Sequence, residues 1–144
     1  YEINQQQVPK VGSVSLEEFI NLINISNISY GFMKKGICLG FVICLRENTN
    51  YQSINYKFFQ KRHKKFIYID RIAIANKYQS SGIGSNLYSK LLSIKDKFNI
   101  PICAEVNIDP PNELSINFHR KHGFSKITER TIKEGYSVAY MEVE

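Results

Sequence analysis

The chain has 144 residues, 43% of them hydrophobic, 12% aromatic and 22% charged, with 19 Lys and Arg against 13 Asp and Glu for a formal charge of +6. That length fits one domain spanning residues 1–144, and the apolar fraction is enough for one real core, which excludes a wholly disordered chain. The longest mostly apolar run, Gly36 to Leu45, is too short to cross roughly 30 Å of hydrocarbon, so no membrane partner is expected.

The first residue is Tyr1 rather than Met, so a cut or processing boundary is expected there, and no charged, then apolar, then small-residue leader is visible. Three cysteines, Cys38, Cys44 and Cys103, have an odd count and no CxxC spacing. That argues against a disulfide framework and a structural zinc site, so no metal is expected. Each lies in an apolar run, where Cys behaves as a small buried hydrophobe. Asn24-Ile-Ser26 and Asn27-Ile-Ser29 match the glycosylation pattern, but without a leader the expectation is a reducing cytoplasm. Part of the positive surplus sits in Lys61-Arg62-His63-Lys64-Lys65, a pattern that suits a solvated face, a polyanion or a phosphate-bearing cofactor.

In chain order, Ser15 with Glu18 is a capping-box pattern, and Leu16, Phe19, Ile20 and Ile23 follow at helical spacing, so a helix is expected to end near Asn24 to Asn27. Ile28 to Met33 and Ile37 to Leu45 read as a hairpin around Lys34-Lys35-Gly36. Tyr51 to Lys61 reads as a short helix or ordered loop, with Phe58 and Phe59 expected in the core. Phe66 to Ala75 is a continuous apolar strand, the pattern of a central strand covered on both faces. Gln79-Ser80-Ser81-Gly82-Ile83-Gly84 leads into a helix striped by Ile83, Leu87, Leu91 and Phe98. A strand from Ile102 to Val106, a loop to Asn112, and a helix from Glu113 to His122 closed by Gly123 come next. Phe124 to Thr131 and Ser137 to Val143 form two last strands around Lys133-Glu134-Gly135. The order predicts a mixed α/β domain, its sheet mostly antiparallel with one parallel step.

A strand that turns through glycines into a helix can hold phosphate, because the first helical N–H groups lack intrahelical partners and the helix dipole is positive there. Glycines at 82 and 84 leave room for a pyrophosphate. No Gly-Lys-Ser/Thr follows, so the loop is not a P-loop, and Leu87 replaces the third glycine of a dinucleotide fingerprint.

Here the sequence resembles the GNAT N-acetyltransferases, which bind acetyl-CoA. The resemblance lies in the strand Ile72 to Ile74 before Gln79-Ser80-Ser81-Gly82-Ile83-Gly84, then in Asn112, Ser115, Phe118-His119 and Gly123-Phe124 about thirty residues on. The order of elements fits the family across nearly the whole chain, and Glu105-Val-Asn-Ile-Asp-Pro-Pro-Asn112 looks like a segment of one bacterial branch of it. The resemblance implies acetyl-CoA as cosubstrate, and roles for residues. Ile72, Ala73 and Ile74 would pair with the pantetheine arm, and the amides of Ser80, Ser81, Gly82, Ile83, Gly84 and Ser85, entered through Gln79, would hold the pyrophosphate. Asn112 and Ser115 would lie beside the thioester. His119 stands where many members carry the Tyr that protonates the departing thiolate; imidazole near pKa 6.5 is a different acid from phenol near 10.

For a general base, Tyr68 and Asp70 share strand parity, with Tyr68 where some protein-acetylating relatives carry Glu, and Glu105 on the neighbouring strand is a third candidate. Asp70 could instead pair with Arg71, and Glu105 could bind the acceptor's ammonium. Acceptor specificity in the family comes from the first helix and the hairpin-to-strand connection; here those hold Asn4 to Val8, and Tyr51, Ser53 and Tyr56. The expected function is direct transfer of an acetyl group to a primary amine of a small molecule or amino acid. An inactive acyl-CoA-binding sensor and a basic nucleic-acid-binding protein are the alternatives, although no nucleic-acid motif supports the second. A homodimer stays open.

Overall fold

The computed structural model describes residues 1–144. Two helices open the chain, α1 (Glu2–Gln6) and α2 (Leu16–Ile25), followed by the hairpin β1 (Ile28–Lys34) and β2 (Ile37–Arg46). Then come α3 (Ile54–Arg62), β3 (Ile67–Ile74), a 3-10 turn (Asn76–Tyr78), α4 (Ile83–Phe98), β4 (Ile102–Asp109), α5 (Glu113–Lys121), β5 (Ser125–Lys133) and β6 (Tyr136–Val143). The six strands form one sheet in the order β1-β2-β3-β4-β6-β5, antiparallel except between β3 and β4. This is the mixed, mostly antiparallel α/β architecture expected from the sequence. No helix is long and apolar enough to cross a membrane.

The capping box forms: Ser15 N–H donates to Glu18 Oε2 at 2.7 Å and Glu18 N–H to Ser15 Oγ at 3.1 Å. The helix it starts buries Phe19 and Leu22, whereas Leu16, Ile20 and Ile23 are exposed, so the inward face is narrower than the apolar spacing suggested. Helix α4 covers one face of the sheet through Ile83, Leu87, Tyr88 and Leu91, which pack with Val42, Ile67, Ile69 and Ala104. Phe98 does not share that face in practice. It is 57% exposed, because the 16-residue helix runs on beyond the core. On the opposite face, Phe19 and Leu22 of α2 and Tyr56 and Phe59 of α3 pack on Ile43, Leu45, Tyr68, Cys103, Val138 and Tyr140. Strand β3 is thus covered on both sides. Phe58 also packs inward, its ring stacked on Tyr140 with centroids 4.2 Å apart. Cys44 and Cys103 are buried as expected, and Cys38 is half-buried.

At the C-terminal end of α3 part of the basic run is paired with an acidic partner on β6. Arg62 Nη2 and His63 Nε2 both reach the carboxylate of Glu142, each at 2.7 Å. The Arg62 charge is therefore partly met within the fold, by the buried carboxylate of Glu142.

The sheet's central join is short. β3 and β4 pair over only three residues each, Ile67 to Ile69 with Ile102 to Ala104, and then diverge. Just past that point the β2–β3 register slips, Ile43 facing Arg71 but Cys44 facing Ile69, which leaves Asp70 as the extra residue of a bulge.

Candidate active site

The divergence of β3 and β4 opens a cavity of about 620 Å³, bordered by β3 from Ile69 to Ile74, the turn from Tyr78 to Ser85, β4 from Ala104 to Asn107, and Asn112, Ser115, Phe118 and His119 of α5 and its cap. Lys10, Val11, Gly12 and Tyr136 also border it.

Ala75 N–H donates to Leu39 O at 2.9 Å. Antiparallel bonding alternates, so Ala73 also points its backbone groups at β2, and those of Ile72 and Ile74 point into the cleft. Gln7 of the α1 segment occupies one of them: its Nε2 donates to Ile74 O at 3.0 Å and to Asn76 Oδ1 at 2.7 Å, and its Oε1 accepts from Gln79 Nε2 at 2.9 Å. The Gln79 side chain is thereby turned toward α1 and away from the glycine loop.

None of the backbone N–H groups from Ser80 to Ser85 has a partner within the protein; Asn86 N–H, bonded to Gly82 O at 3.0 Å, is the first in α4 that does. Left-handed backbone at Ser80 (φ 59°) and Gly82 (φ 84°) gathers these donors into a concave nest at a helix N-terminus, an anion site by construction. Gly82 is required by its backbone angle, since a Cβ there would meet nothing within 4 Å. Gly84 has a different reason: a Cβ would press to 3.2 Å on the Phe118 ring, so this glycine permits α4 and α5 to touch. Ser81 does not border the cavity, because its hydroxyl turns back to the Tyr78 carbonyl.

A second group of side chains lies under the cleft. Glu105 on β4 accepts at Oε1 from Tyr68 OH (2.9 Å) and Asn55 Nδ2 (3.1 Å), and its Oε2 is buried without any partner. Burial, reinforced by the nearby Asp70 charge, pushes its carboxyl up to about 8, against the pull of those two hydrogen bonds. Asp70, presented by the bulge, accepts from Tyr51 OH at 2.5 Å and from Arg71 Nε at 2.8 Å. The ion pair weighed from the sequence therefore forms.

Several sequence expectations need correction. Tyr68 is fully buried behind Glu105 and donates to it; burial raises its phenol well above 10, which removes it as a base. Tyr51, Ser53 and Tyr56 do not border the cavity. Tyr51 braces Asp70, Ser53 caps α3 by accepting from Tyr56 N–H, and Tyr56 is a core residue whose OH donates to Arg46 O at 2.8 Å. Asn4, offered as acceptor-facing, is buried and accepts from Arg71 Nη1 at 3.0 Å. His119 reaches the cavity wall but is 3% exposed with both ring nitrogens engaged: Nδ1 donates to Ser115 O at 2.8 Å and Nε2 accepts from Tyr88 OH at 2.7 Å. Burial lowers its pKa to about 4, so near neutrality it carries no proton for a thiolate. Asn112 does border the cavity, and it also caps α5 by accepting from Ser115 N–H at 3.3 Å. Gln7 and Asn55 lay only within the stretches expected to face the acceptor, with no role given to either, and Arg71 and Tyr136 were not singled out for the site. Only Arg71, beside Asp70, carried a signal, as that residue's ion-pair partner.

The cleft fits an acyl-CoA on these observations: a β edge open at Ile72, with the Ile74 carbonyl taken by Gln7, for a pantetheine, and a nest of unpaired N–H groups for a pyrophosphate. The model of the GNAT acetyltransferase family matches residues 9–124, and the chain belongs to that family. It is an acetyltransferase, with acetyl-CoA as its cosubstrate. No curated protein matches it. Among solved structures it is similar to the ribosomal-protein-S18-alanine N-acetyltransferase of Escherichia coli, at 18% identity and TM-score 0.70 over 99% of this chain and 83% of that one. Naa50 of Arabidopsis thaliana, solved with a bisubstrate analogue, aligns at 18% and 0.71 over 99% and 90%. Ard1 of Thermoplasma volcanium aligns at 18% and 0.76 over 99% and 86%. At such identities the likeness concerns the fold.

Proposed function

We propose that this acetyltransferase acts on the primary amine of a small molecule or amino acid by direct transfer, with Glu105 as the general base. The observation that carries the reading is the unpartnered, buried Glu105 Oε2 at the wall of the cavity, where β4 leaves β3. A buried carboxylate with a free oxygen is costly unless something donates to it. An acceptor's ammonium is such a donor, and the same oxygen then takes the proton that must leave before nitrogen can attack. Acetyl-CoA, when bound, supplies the acyl group as a thioester.

The other side chains have supporting tasks in this reading. Tyr68 and Asn55 fix the rotamer of Glu105 through Oε1 and leave Oε2 free. Asp70 raises the basicity of Glu105 by its charge, and Tyr51 and Arg71 hold Asp70 in place. His119 is a positioning residue that ties Tyr88 of α4 to the first turn of α5. A thiol of ordinary pKa, near 8.5, departs without a strong fixed acid. Alignment of the two reactants in one cleft supplies much of the acceleration, and a positioned base adds typically 10²–10⁴-fold.

The test is acetyl-CoA-dependent thiol release across a panel of primary amines, with calorimetric binding of acetyl-CoA measured in parallel. Turnover with at least one amine, abolished in Glu105→Gln, is expected. One-to-one binding of acetyl-CoA with no turnover on any amine would leave the acyl-CoA sensor as the function.

A further inference from the structure

The acceptor end of the cavity holds a second unmet group. Arg71 has a side chain only 7% exposed and lies on the bulged stretch of β3 next to Asp70. Its Nε donates to Asp70 Oδ2 at 2.8 Å, and its Nη1 donates to Asn4 Oδ1 at 3.0 Å and to Gly12 O at 3.4 Å. No group in the protein accepts from Nη2. A guanidinium has five N–H donors in a fixed plane, so two of them remain unpaired on a side chain that is more than nine-tenths buried. Arg71 borders the same cavity as Glu105, as do Lys10 and Gly12, the latter in contact with Arg71 through its carbonyl. A Cβ on Gly12 would meet nothing within 4 Å, so space stays open there.

Once Glu105 has ionised to act as a base, charges on this cavity are balanced, Asp70 and Glu105 against Arg71 and Lys10. A simple amine or polyamine would bring net positive charge into it. A zwitterion would not, and its carboxylate would satisfy the open face of Arg71 while its ammonium satisfied Glu105 Oε2.

We propose that Arg71, helped by Lys10, binds a carboxylate on the acceptor, so that the substrate class is the free α-amino acids. The inference rests on the acetyltransferase reading above. A site that holds a hydrogen-bonding group in a buried place rejects analogues lacking it more strongly than a merely apolar pocket does. The discrimination resides in KM, because the carboxylate contact is made equally before and during transfer.

The experiment measures thiol release from acetyl-CoA with the twenty amino acids, each as free acid and as α-amide, compared at equal concentrations of neutral amine. At least one free acid should exceed its amide by about tenfold or more in kcat/KM, mostly through KM. Arg71→Gln should erase that preference while acetyl-CoA affinity, by calorimetry, stays within about twofold. Arg71 also braces Asp70 and Asn4, so if that variant does not fold, Lys10→Ala on the exposed loop serves instead and should shrink the preference. Amides acetylated as well as acids, or a preference that survives the substitutions, overturns the carboxylate assignment and leaves the acetyltransferase reading standing. Thiol release with none of these compounds but with another primary amine overturns the amino-acid assignment alone, and release with no amine at all overturns both.

Discussion

Replacing Glu105 by Gln should remove activity and add stability, with the gain depending on pH. The carboxyl is lifted from 4.5 to about 8, mainly because burial disfavours its charge. A carboxyl with a raised folded pKa is protonated in the native state while already ionised in the unfolded chain. Between those two values the native state binds the extra proton, so stability falls as pH rises from about 4.5 toward 8. With one pKa unit equal to about 1.36 kcal/mol, the native state loses on the order of 2–3 kcal/mol between pH 5 and pH 7 through this group alone. Gln fills the same space without a charge and escapes that loss. The assay is thermal unfolding of both proteins from pH 5 to 8. The difference in Tm should be small at pH 5 and grow by roughly 5–10 °C by pH 7. His119 titrates in both proteins alike and cancels from the difference. In the wild type, kcat/KM should rise about tenfold per pH unit and level near pH 8, while Glu105→Gln loses about 10²-fold or more. A Tm difference that is flat with pH, or a variant with more than a tenth of wild-type turnover, refutes the reasoning.

Gly82→Leu should fold, at a cost of about 1–2 kcal/mol for a left-handed Leu, yet weaken acetyl-CoA by at least about tenfold in calorimetry, since the side chain enters the nest of unpaired amides. Gly40→Val should be far more damaging to the fold than to the site: an added Cβ would lie 2.6 Å from Ile74 Cδ1 and 3.1 Å from Ala73 O, overpacking worth about 1–3 kcal/mol or more in urea unfolding. His119→Gln should make the protein less acid-sensitive. The buried neutral imidazole, at about 4, forgoes a proton that the unfolded chain binds below 6.5, so wild-type stability is lost as pH falls through that window, and the variant's acid unfolding should shift to lower pH. The same variant should keep the shape of the pH–rate profile; loss of its alkaline or acidic limb would give His119 a proton-transfer role.

Regular patterns were the legible part of the molecule. Ser15 with Glu18, the Lys34-Lys35-Gly36 and Lys133-Glu134-Gly135 turns, and the apolar run before Gln79 each have a local cause, and each produced the element expected. The glycine loop was legible for the same reason, because Gly82 is demanded by its own backbone angle. What escaped depends on contacts between residues far apart in the chain. Tyr68 and Asp70 looked equivalent under strict alternation, but the bulge sets Asp70 apart as the extra residue, and a bulge is a mismatch between two strands that neither encodes alone. Gln7 lies 72 residues from Gln79, and nothing in a five-residue opening helix foretells that its carboxamide caps a sheet carbonyl. Tyr51, Ser53 and Tyr56 misled because aromatics among polar residues read alike whether they face a ligand or, as Tyr56 does, a core.

The three-residue join between β3 and β4 makes the sheet softest at its middle, where sheets are usually firmest. One half, β1-β2-β3, is internally bonded over seven pairs on each side of β2, and β4-β6-β5 over seven pairs on each side of β6, yet the two meet along a seam of three. If the cosubstrate arm lies along Ile72 and Ile74 as the cleft suggests, it would fill the gap as a seventh strand. Binding then acts as a suture, and slower amide exchange should spread to Ile67 and Ile102, residues of the seam that do not border the cavity.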